Sequence, residues 1–173
     1  MVADTTTPLN KNFLSPLNFD FSLQRAPHLN FFIQSINLPG VSFMNPLQPT
    51  PFSNIPMTGD RLYYDDLNIV FKVDEDLQNY LEIYTWLSEL GFPADFNQYQ
   101  QISSMPITAG NGLRSDITLL ISNGIKVANF QVNFRECIPV AIGPLQFATT
   151  DDSINYMTCS ATFRYIFFEI EKI

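Results

Sequence analysis

Residues 62–93, with the sequence LYYDDLNIVFKVDEDLQNYLEIYTWLSELGFP, decide the fold class. Their first half carries an apolar side chain at every second position, namely at Leu67, Ile69, Phe71 and Val73. This spacing puts all four side chains on one face of an extended segment. The pattern predicts a β-strand that is buried on that face.

The second half of the stretch predicts a helix over about residues 74–90. Asp74 can accept hydrogen bonds from the N–H groups of a first helical turn, and the acidic residues after it suit the positive end of the helix dipole. Gly91 and Pro93 supply the stop. Apolar residues at helical spacing form a stripe: Leu77, Tyr80, Leu81, Ile83, Tyr84, Trp86, Leu87 and Leu90. A stripe this wide indicates a helix that lies across a sheet.

Composition excludes several classes of protein. A chain of 173 residues with 46% apolar residues can bury one good core, which favours a single domain. The formal net charge of −8 argues against wrapping of a nucleic-acid backbone, because that binding depends on clustered lysine and arginine. The sequence has neither an apolar leader nor a run of about 18 apolar residues, so we expect a soluble protein without a membrane segment. Cys137 and Cys159 fall on predicted strands, which indicates buried reduced thiols.

The first 37 residues divide into an arm and a strand. Residues 1–27 are polar and interrupted by prolines, yet they contain several aromatic and leucine side chains. We interpret them as an N-terminal arm that packs either on its own domain or on a neighbouring subunit. Residues 28–37, HLNFFIQSIN, then predict the first strand of a domain that extends over residues 28–173.

Residues 38–60, LPGVSFMNPLQPTPFSNIPMTGD, predict a long proline-rich loop or an edge hairpin, because proline cannot donate a hydrogen bond to a sheet. The loop carries more apolar side chains than a surface loop needs. These are Val41, Phe43, Met44, Leu47, Phe52, Ile55 and Met57. Two explanations stay open: an Ω-like loop folded onto its own barrel, or a contact between subunits.

The last third of the chain predicts further strands. Residues 116–122 and 125–135 flank Asn123-Gly124, the pair that a two-residue type I′ hairpin prefers, and the second of these strands has one polar face. A polar connection over residues 94–112 precedes them. The last predicted strand, residues 154–170, turns apolar on its opposite face at Ile166, Phe168 and Ile170, which indicates either a bulge or a partner surface.

Catalytic and metal-binding patterns are missing from the sequence. His28 is the single histidine, so a nucleophilic triad could use only that residue. The pairs Asp65-Asp66 and Asp151-Asp152 could hold a cation or act as acid and base, but solvated turns explain them more simply. We therefore expect neither an enzyme nor a cofactor or metal site.

Four segments resemble the tail-tube terminators of T-even-type contractile-tailed phages, also called tail-completion and sheath-stabiliser proteins. The segments are NFFIQSINLPGVS, GDRLYYDDLNIVFKVDEDLQNYLEIYTWL, SDITLLISNGIKVANFQVNF and LQFATTDDSINYMTCSATFRYIFFEIEK, starting at residues 30, 59, 115 and 145. The most specific part is the strand-to-helix junction IVFKVDEDLQ, followed by the FFEIEK ending. The resemblance covers residues 28–173 and leaves out the N-terminal arm.

This resemblance implies a mainly β fold, a tail-tube-like sandwich or barrel with one flanking helix. It also implies a structural protein of the virion that is assembled in the host cytoplasm. Six copies would form a ring that ends the tail tube at its head-proximal end, with the tail tube protein and neck or sheath-terminator proteins as partners. Genomic DNA would slide through an acidic lumen without binding. The apolar loop and Ile166, Phe168 and Ile170 would then contact other subunits.

Two alternatives to a terminator remain at this point. The tail tube subunit shares the same fold and would stack into long tubes. A small β-barrel that binds an apolar ligand would also need an apolar interior and an apolar loop at its mouth.

Overall fold

A computed structural model describes residues 11–91, 97, 99, 100, 104, 112–149 and 156–173. Within these residues the chain forms strands and two helices, and the predicted mainly β class is confirmed. The elements are β1 (Phe19–Leu23), α1 (Pro27–Phe32), β2 (Ile33–Ile36), β3 (Val41–Phe43), β4 (Leu47–Pro49), β5 (Asn54–Pro56), β6 (Leu62–Tyr64), β7 (Leu67–Lys72), α2 (Gln78–Gly91), β8 (Ser115–Ser122), β9 (Ala128–Ile142), β10 (Thr158–Arg164) and β11 (Phe167–Lys172).

Two antiparallel sheets share the long strand β9. The front sheet has the order β1-β8-β9-β11, and the back sheet has the order β9-β10-β7-β2. Glu136, with a φ of 55°, lies where β9 leaves the front sheet for the back sheet. A left-handed residue at this point is typical of a bulge that bends a strand around the corner of a barrel.

The core fills the space between the sheets and under α2. Leu67, Ile69 and Phe71 of β7 are fully buried, which confirms the predicted alternation. Trp86 of α2 lies on this core with its ring centroid 6.2 Å from that of Phe163. Phe134 of β9 is also fully buried. The interior is therefore packed with large side chains, which disfavours a chamber for an apolar ligand.

The start of α2 corrects the predicted helix of residues 74–90. Asp74 accepts a hydrogen bond from the N–H of Leu77 at 3.0 Å through its carbonyl and so belongs to a turn. Leu77 has a φ of 57°, which α-helical backbone cannot adopt, and the helix begins at Gln78. The buried Asn79 fixes this entry, because its amide donates to the carbonyl of Lys72 at 2.8 Å and accepts from the N–H of Asp74 at 3.3 Å.

The buried face of α2 also differs from the centre of the predicted stripe. Ile83 and Trp86 are buried, whereas Leu81 and Tyr84 are 45% and 52% exposed. Trp86 is fixed by a hydrogen bond from Nε1 to the carbonyl of Leu113 at 3.2 Å. The hydrogen bonds of Trp86 and Asn79 fix the rotation of α2 about its axis. One edge of the apolar stripe therefore faces solvent.

The predicted strand of residues 28–37 is wrong in its first half. Pro27 occupies the first turn of α1, where its fixed φ and missing N–H are tolerated, and residues 27–32 form a helix. Leu29 is buried under this helix and Phe31 is 85% exposed. Only Ile33–Ile36 is a strand, and it pairs with β7.

The hairpin between β8 and β9 is not a two-residue type I′ turn. A five-residue turn over 123–127 closes with the N–H of Asn123 donating to the carbonyl of Val127 at 2.9 Å. The side-chain oxygen of Asn123 accepts from the N–H groups of Ile125 and Val127, both at 3.0 Å. Lys126, with a φ of 60°, takes the left-handed position, and Gly124 does not.

Two further boundaries differ from the prediction. Phe19–Leu23 is a strand of the front sheet, so the domain begins before residue 28. The predicted last strand is divided into β10 and β11, because the chain crosses from the back sheet to the front sheet at Tyr165 and Ile166. Residues 1–10, most of the predicted connection over 94–112 and the pair Asp151-Asp152 lie outside the described residues.

Candidate assembly surfaces

The proline-rich segment forms a hairpin over residues 40–65. We call this hairpin the arm; it is distinct from the N-terminal arm of residues 1–27. Strands β3 and β6 pair at its base, with Val41 opposite Tyr64 and Phe43 opposite Leu62. Strands β4 and β5 pair near its end, with Leu47 opposite Pro56. The sequence-based alternative of an edge hairpin is therefore closer to the structure than an irregular loop.

A bulge separates the two parts of the arm. Residues 58–61 lie opposite Met44 and Asn45, between the pair Phe43–Leu62 and a hydrogen bond from the N–H of Met57 to the carbonyl of Pro46 at 2.8 Å. A Cβ atom at Gly59 would lie 1.6 Å from the carbonyl oxygen of Met44. Only glycine fits this position, and the bulge depends on it.

The apolar side chains of the arm are exposed. Phe52, at the end of the arm, is 99% exposed, and the other predicted contact residues of the loop range from 47% to 58%. Within the described residues, the strands of the arm pair with each other and not with either main sheet. The arm is therefore a ribbon that leaves the domain and does not fold onto its own barrel.

The root of the arm is fixed by an aromatic cluster. The ring centroid of Tyr64 lies 5.9 Å from that of Tyr165 and 5.6 Å from that of Phe168. The Tyr165 hydroxyl donates to the carbonyl of Asp65 at 2.9 Å, and burial raises the pKa of Tyr165 to about 12. Arg164 pairs with Asp66 at 3.0 Å on the same corner.

The predicted contact residues of the last strand separate into two kinds. The Phe168 ring packs on its own chain, 5.5 Å from the ring of the buried Phe134, so its apolar character has an internal explanation. Ile166 and Ile170 are 52% and 55% exposed. These two side chains remain available for a partner.

The front sheet has an unpaired edge on each side. Strand β1 pairs only with β8, and β11 pairs only with β9, among the residues that the structure describes. Sequence reasoning missed the edge formed by β1, although Phe19, Phe21 and Leu23 follow the period of a strand. Unpaired edges of this length attract other strands.

The outer face of the front sheet is polar. Asn133 accepts hydrogen bonds from Thr118 Oγ1 at 3.1 Å and from Gln131 Nε2 at 2.8 Å. Arg135 pairs with Asp116 at 3.0 Å and reaches Glu169 at 3.6 Å, which links β8, β9 and β11. This confirms the polar face that the alternation in β9 predicts.

The histidine and the two cysteines make contacts within the fold. His28 pairs with Glu82 at 2.5 Å, and this hydrogen bond raises the pKa of His28. Both cysteines are buried and unpaired with each other, and burial raises the pKa of Cys137 to about 12. In the described parts of the chain, no group of three His, Cys, Asp or Glu side chains is arranged to hold a metal ion. No helix among the described residues is long and apolar enough to span a membrane.

The fold is similar to the folds of proteins from contractile injection systems, among them tube terminators. The chain aligns over its whole length with a chain of the tube-terminating cap of the anti-feeding prophage, covering all of that chain, with a TM-score of 0.60 and 12% identity. It aligns over 94% of its length, and 99% of the other chain, with a structure of the sheath/tube terminator of the PVC extracellular contractile injection system, with a TM-score of 0.59 and 13% identity.

A sequence relative points to the same class. The tail tube terminator protein of Enterobacteria phage T4 is 26% identical over 145 residues, which cover 80% of this chain and 76% of the relative. No protein-family model matches the chain. The predicted resemblance to tail-tube terminators is confirmed by these comparisons.

Proposed function

We propose that this protein is a structural component of a contractile phage tail that terminates the tail tube. The observation that carries this function is the agreement between two independent similarities, in fold to tube terminators and in sequence to the T4 terminator. Its relatives are structural tail proteins, and the function is geometric rather than catalytic.

The terminator works as a ring of six copies joined through the front sheets. Strand direction alternates across the order β1-β8-β9-β11, so β11 of one copy lies antiparallel to β1 of the next. Two different edges that join head to tail form a closed ring when the rotation between copies closes. Six four-stranded sheets then make one continuous barrel wall.

The direction of the main-chain N–H groups, which alternates along each strand, supports pairing of β11 with β1 of the next copy. Ile173 N–H donates to Asn129 on β9, so the N–H of Ile170 points to the free edge of β11. Ser122 N–H donates to Asn18, so the N–H groups of Phe19 and Phe21 point to the free edge of β1. These edge-facing residues carry their side chains on the core side of the sheet in both strands. When the two edges pair, the core faces of the two sheets therefore lie on the same side, and so do their polar faces.

The polar outer face lines the lumen of the ring. Asp116, Glu169 and Glu171 place carboxylates on or beside this face and outnumber Arg135, which pairs with the first two, and the chain as a whole carries a net charge of −8. A negative wall repels the DNA backbone, so the genome passes without binding.

The arm and the two exposed isoleucines supply further apolar contacts between subunits. The arm carries Val41, Phe43, Met44, Leu47, Phe52, Ile55 and Met57 onto the adjacent ring, which is the last ring of the tail tube. Ile166 and Ile170 border the joint between copies. Neck or sheath-terminator proteins bind on the head-proximal side. The protein is assembled in the host cytoplasm and resides in the virion.

Removing one edge N–H tests the ring. Ile170→Pro deletes the donor, and Ile170→Ala keeps it while shortening the same side chain. We expect a folded Ile170→Pro protein without rings on electron micrographs, and rings in the Ile170→Ala control. Normal rings from Ile170→Pro would contradict the joint between β11 and β1.

A further inference from the structure

We propose that one end of the front sheet is a second docking surface, which binds a protein whose apolar patch is bordered by carboxylates. We call it the tip surface, and it consists of Leu17, Ile125, Lys126, Val127, Lys172 and Ile173. It lies at the end of the sheet opposite to the root of the arm. The proposal rests on the ring-forming terminator function given above.

Three segments of the chain meet at this end. Asn18 holds the segment with Leu17 beside the β8–β9 turn. Its side-chain amide donates a hydrogen bond to the main-chain carbonyl of Asn123 at 3.1 Å, and its main-chain carbonyl accepts one from the N–H of Ser122 at 3.0 Å. On the other side of β9, the N–H of Ile173 donates to the carbonyl of Asn129 at 3.0 Å. The turn therefore lies between the start of β1 and the end of β11.

The apolar side chains of the tip surface are exposed. Leu17 is 85% exposed, Ile125 79%, Val127 55% and Ile173 63%. The turn that carries Ile125 and Val127 is fixed by the Asn123 side chain, so its conformation does not require apolar residues at these positions. Several exposed apolar side chains at one end of a sheet indicate a binding site.

The charges of this end select the partner. Lys126 and Lys172 have no carboxylate within salt-bridge distance among the described residues. Arg25, Arg114, Arg135 and Arg164 are each paired with a carboxylate, whereas Lys11, Arg61 and Lys72, like the two tip lysines, have none within that distance among the described residues. Lys126 and Lys172 are set apart because they share one end of the front sheet. In a chain with a net charge of −8, two unpaired lysines beside an apolar cluster complement an acidic border.

The position of the tip surface separates it from the arm. Phe168 is opposite Phe134 near the arm root, whereas Lys172 is opposite Phe130 at the other end of the same pair of strands. In a ring built from front sheets these ends lie on opposite faces. Two copies joined tip to tip would bring their lysines together, and this repulsion favours a different protein as the partner.

Paired variants test the proposal against two probes: tubes stripped of sheath from tails of the same phage, and its purified sheath-terminator protein. The tip variants are Ile125→Asp and the double change Lys126→Glu with Lys172→Glu. The arm variants are Phe52→Asp and Arg61→Glu, and Val140→Asp is an exposed apolar control in the back-sheet part of β9. Ring formation and circular dichroism are measured for every variant.

We expect the tip variants to form rings and to bind the sheath-terminator protein about tenfold or more weakly, while the arm variants weaken only binding to the stripped tubes. The binding that depends on the tip should also weaken as NaCl is raised from about 50 to about 500 mM. Tip variants that bind both probes like the unmodified protein, or that fail to form rings, would overturn the proposal. If the unmodified protein bound neither probe, the terminator function itself would fail.

Discussion

Ile83 and Leu81 lie two positions apart on α2 and have opposite environments. Ile83 is fully buried under the helix, whereas Leu81 is 45% exposed. Ile83→Ala should therefore lower the free energy of unfolding by about 2–4 kcal/mol, because it removes buried methyl groups and leaves a cavity. Leu81→Ala should lower it by less than about 1 kcal/mol. Urea denaturation of both variants checks this pair, and equal losses would mean that the helix face is assigned wrongly.

The sequence predicts that α2 is amphipathic but not which edge of its stripe is buried. Periodicity shows which side of a helix is apolar, but eight apolar positions cover so much of its circumference that they do not show which part faces the core. The choice is made by contacts distant in sequence, such as the hydrogen bond from Trp86 to the carbonyl of Leu113. Asn79 could not be recognised as buried either, since a polar residue is buried only when the fold supplies its hydrogen-bond partners.

The buried Cys137 thiol makes the free energy of unfolding depend on pH. Burial raises the pKa of its thiol from 9.0 to about 12 in the folded protein. Below about pH 9 the thiol is protonated in both the folded and the unfolded states, so its contribution to stability is constant. Between about pH 9 and about pH 12 only the unfolded state loses the proton, and this contribution falls by about 1.4 kcal/mol per pH unit.

The measurement is the free energy of unfolding in urea at about pH 8 and about pH 10.5, for the unmodified protein and for Cys137→Ala. All other titratable groups are present in both proteins, so most of their effect cancels in the difference. We expect a steeper loss of stability in the unmodified protein. Parallel pH dependences would show that the Cys137 thiol is not shielded from solvent.

Among the elements, the arm depends on one glycine. A Cβ at Gly59 would meet the carbonyl of Met44 at 1.6 Å, whereas a Cβ at Gly91 would meet nothing within 4 Å. Gly59→Ala should distort the bulge and weaken tube capping, while the domain stays folded because the arm strands lie outside both main sheets. Gly91→Ala should leave capping unchanged. Thermal unfolding and a capping assay check the pair, and full capping by Gly59→Ala would show that the bulge is unimportant.

Phe52 at the end of the arm provides a second test. It is 99% exposed, so Phe52→Asp should leave the free energy of unfolding within about 0.5 kcal/mol of the unmodified protein. The charge should weaken docking of the arm on the tube end, because an apolar interface cannot pair it. Circular dichroism and co-sedimentation with tubes separate the two effects. An unfolded Phe52→Asp protein would mean that the arm packs on its own domain.

The elements differ in how far the sequence predicts them. Strand β7 follows from alternation alone, because Leu67, Ile69 and Phe71 share one face of the strand and are all fully buried. The residues of α1 read as a strand because six residues are too few to show a helical period, and only Pro27 marks a helix start. The excess of apolar residues predicts that the arm contacts something. Its division into two paired parts depends on the bulge opposite Met44, which no sequence pattern indicates.

For the whole molecule, the assembly surfaces form a consistent arrangement. Among the described residues the front sheet has two different unpaired edges, which the proposed ring joins, and the arm and the tip surface lie at opposite ends of that sheet. A ring with two unlike faces can bind one protein on each side. The sequence predicts that such surfaces exist, through excess apolar residues, but their relative position requires the topology of β9 and β11.

Polymerisation separates a terminator from a tail tube subunit, which shares the fold. A tube subunit has two complementary ring faces, so its stacking is open-ended and concentrated protein grows into filaments. In this chain both the arm and the tip surface carry exposed apolar side chains, but the tip surface adds Lys126 and Lys172, so the two ring faces differ in charge and are poor templates for endless stacking. We therefore expect the purified protein to form monomers or single rings on electron micrographs at all concentrations, and to cap preformed tubes at one end. Long hollow filaments of the isolated protein would identify it as a tube subunit instead.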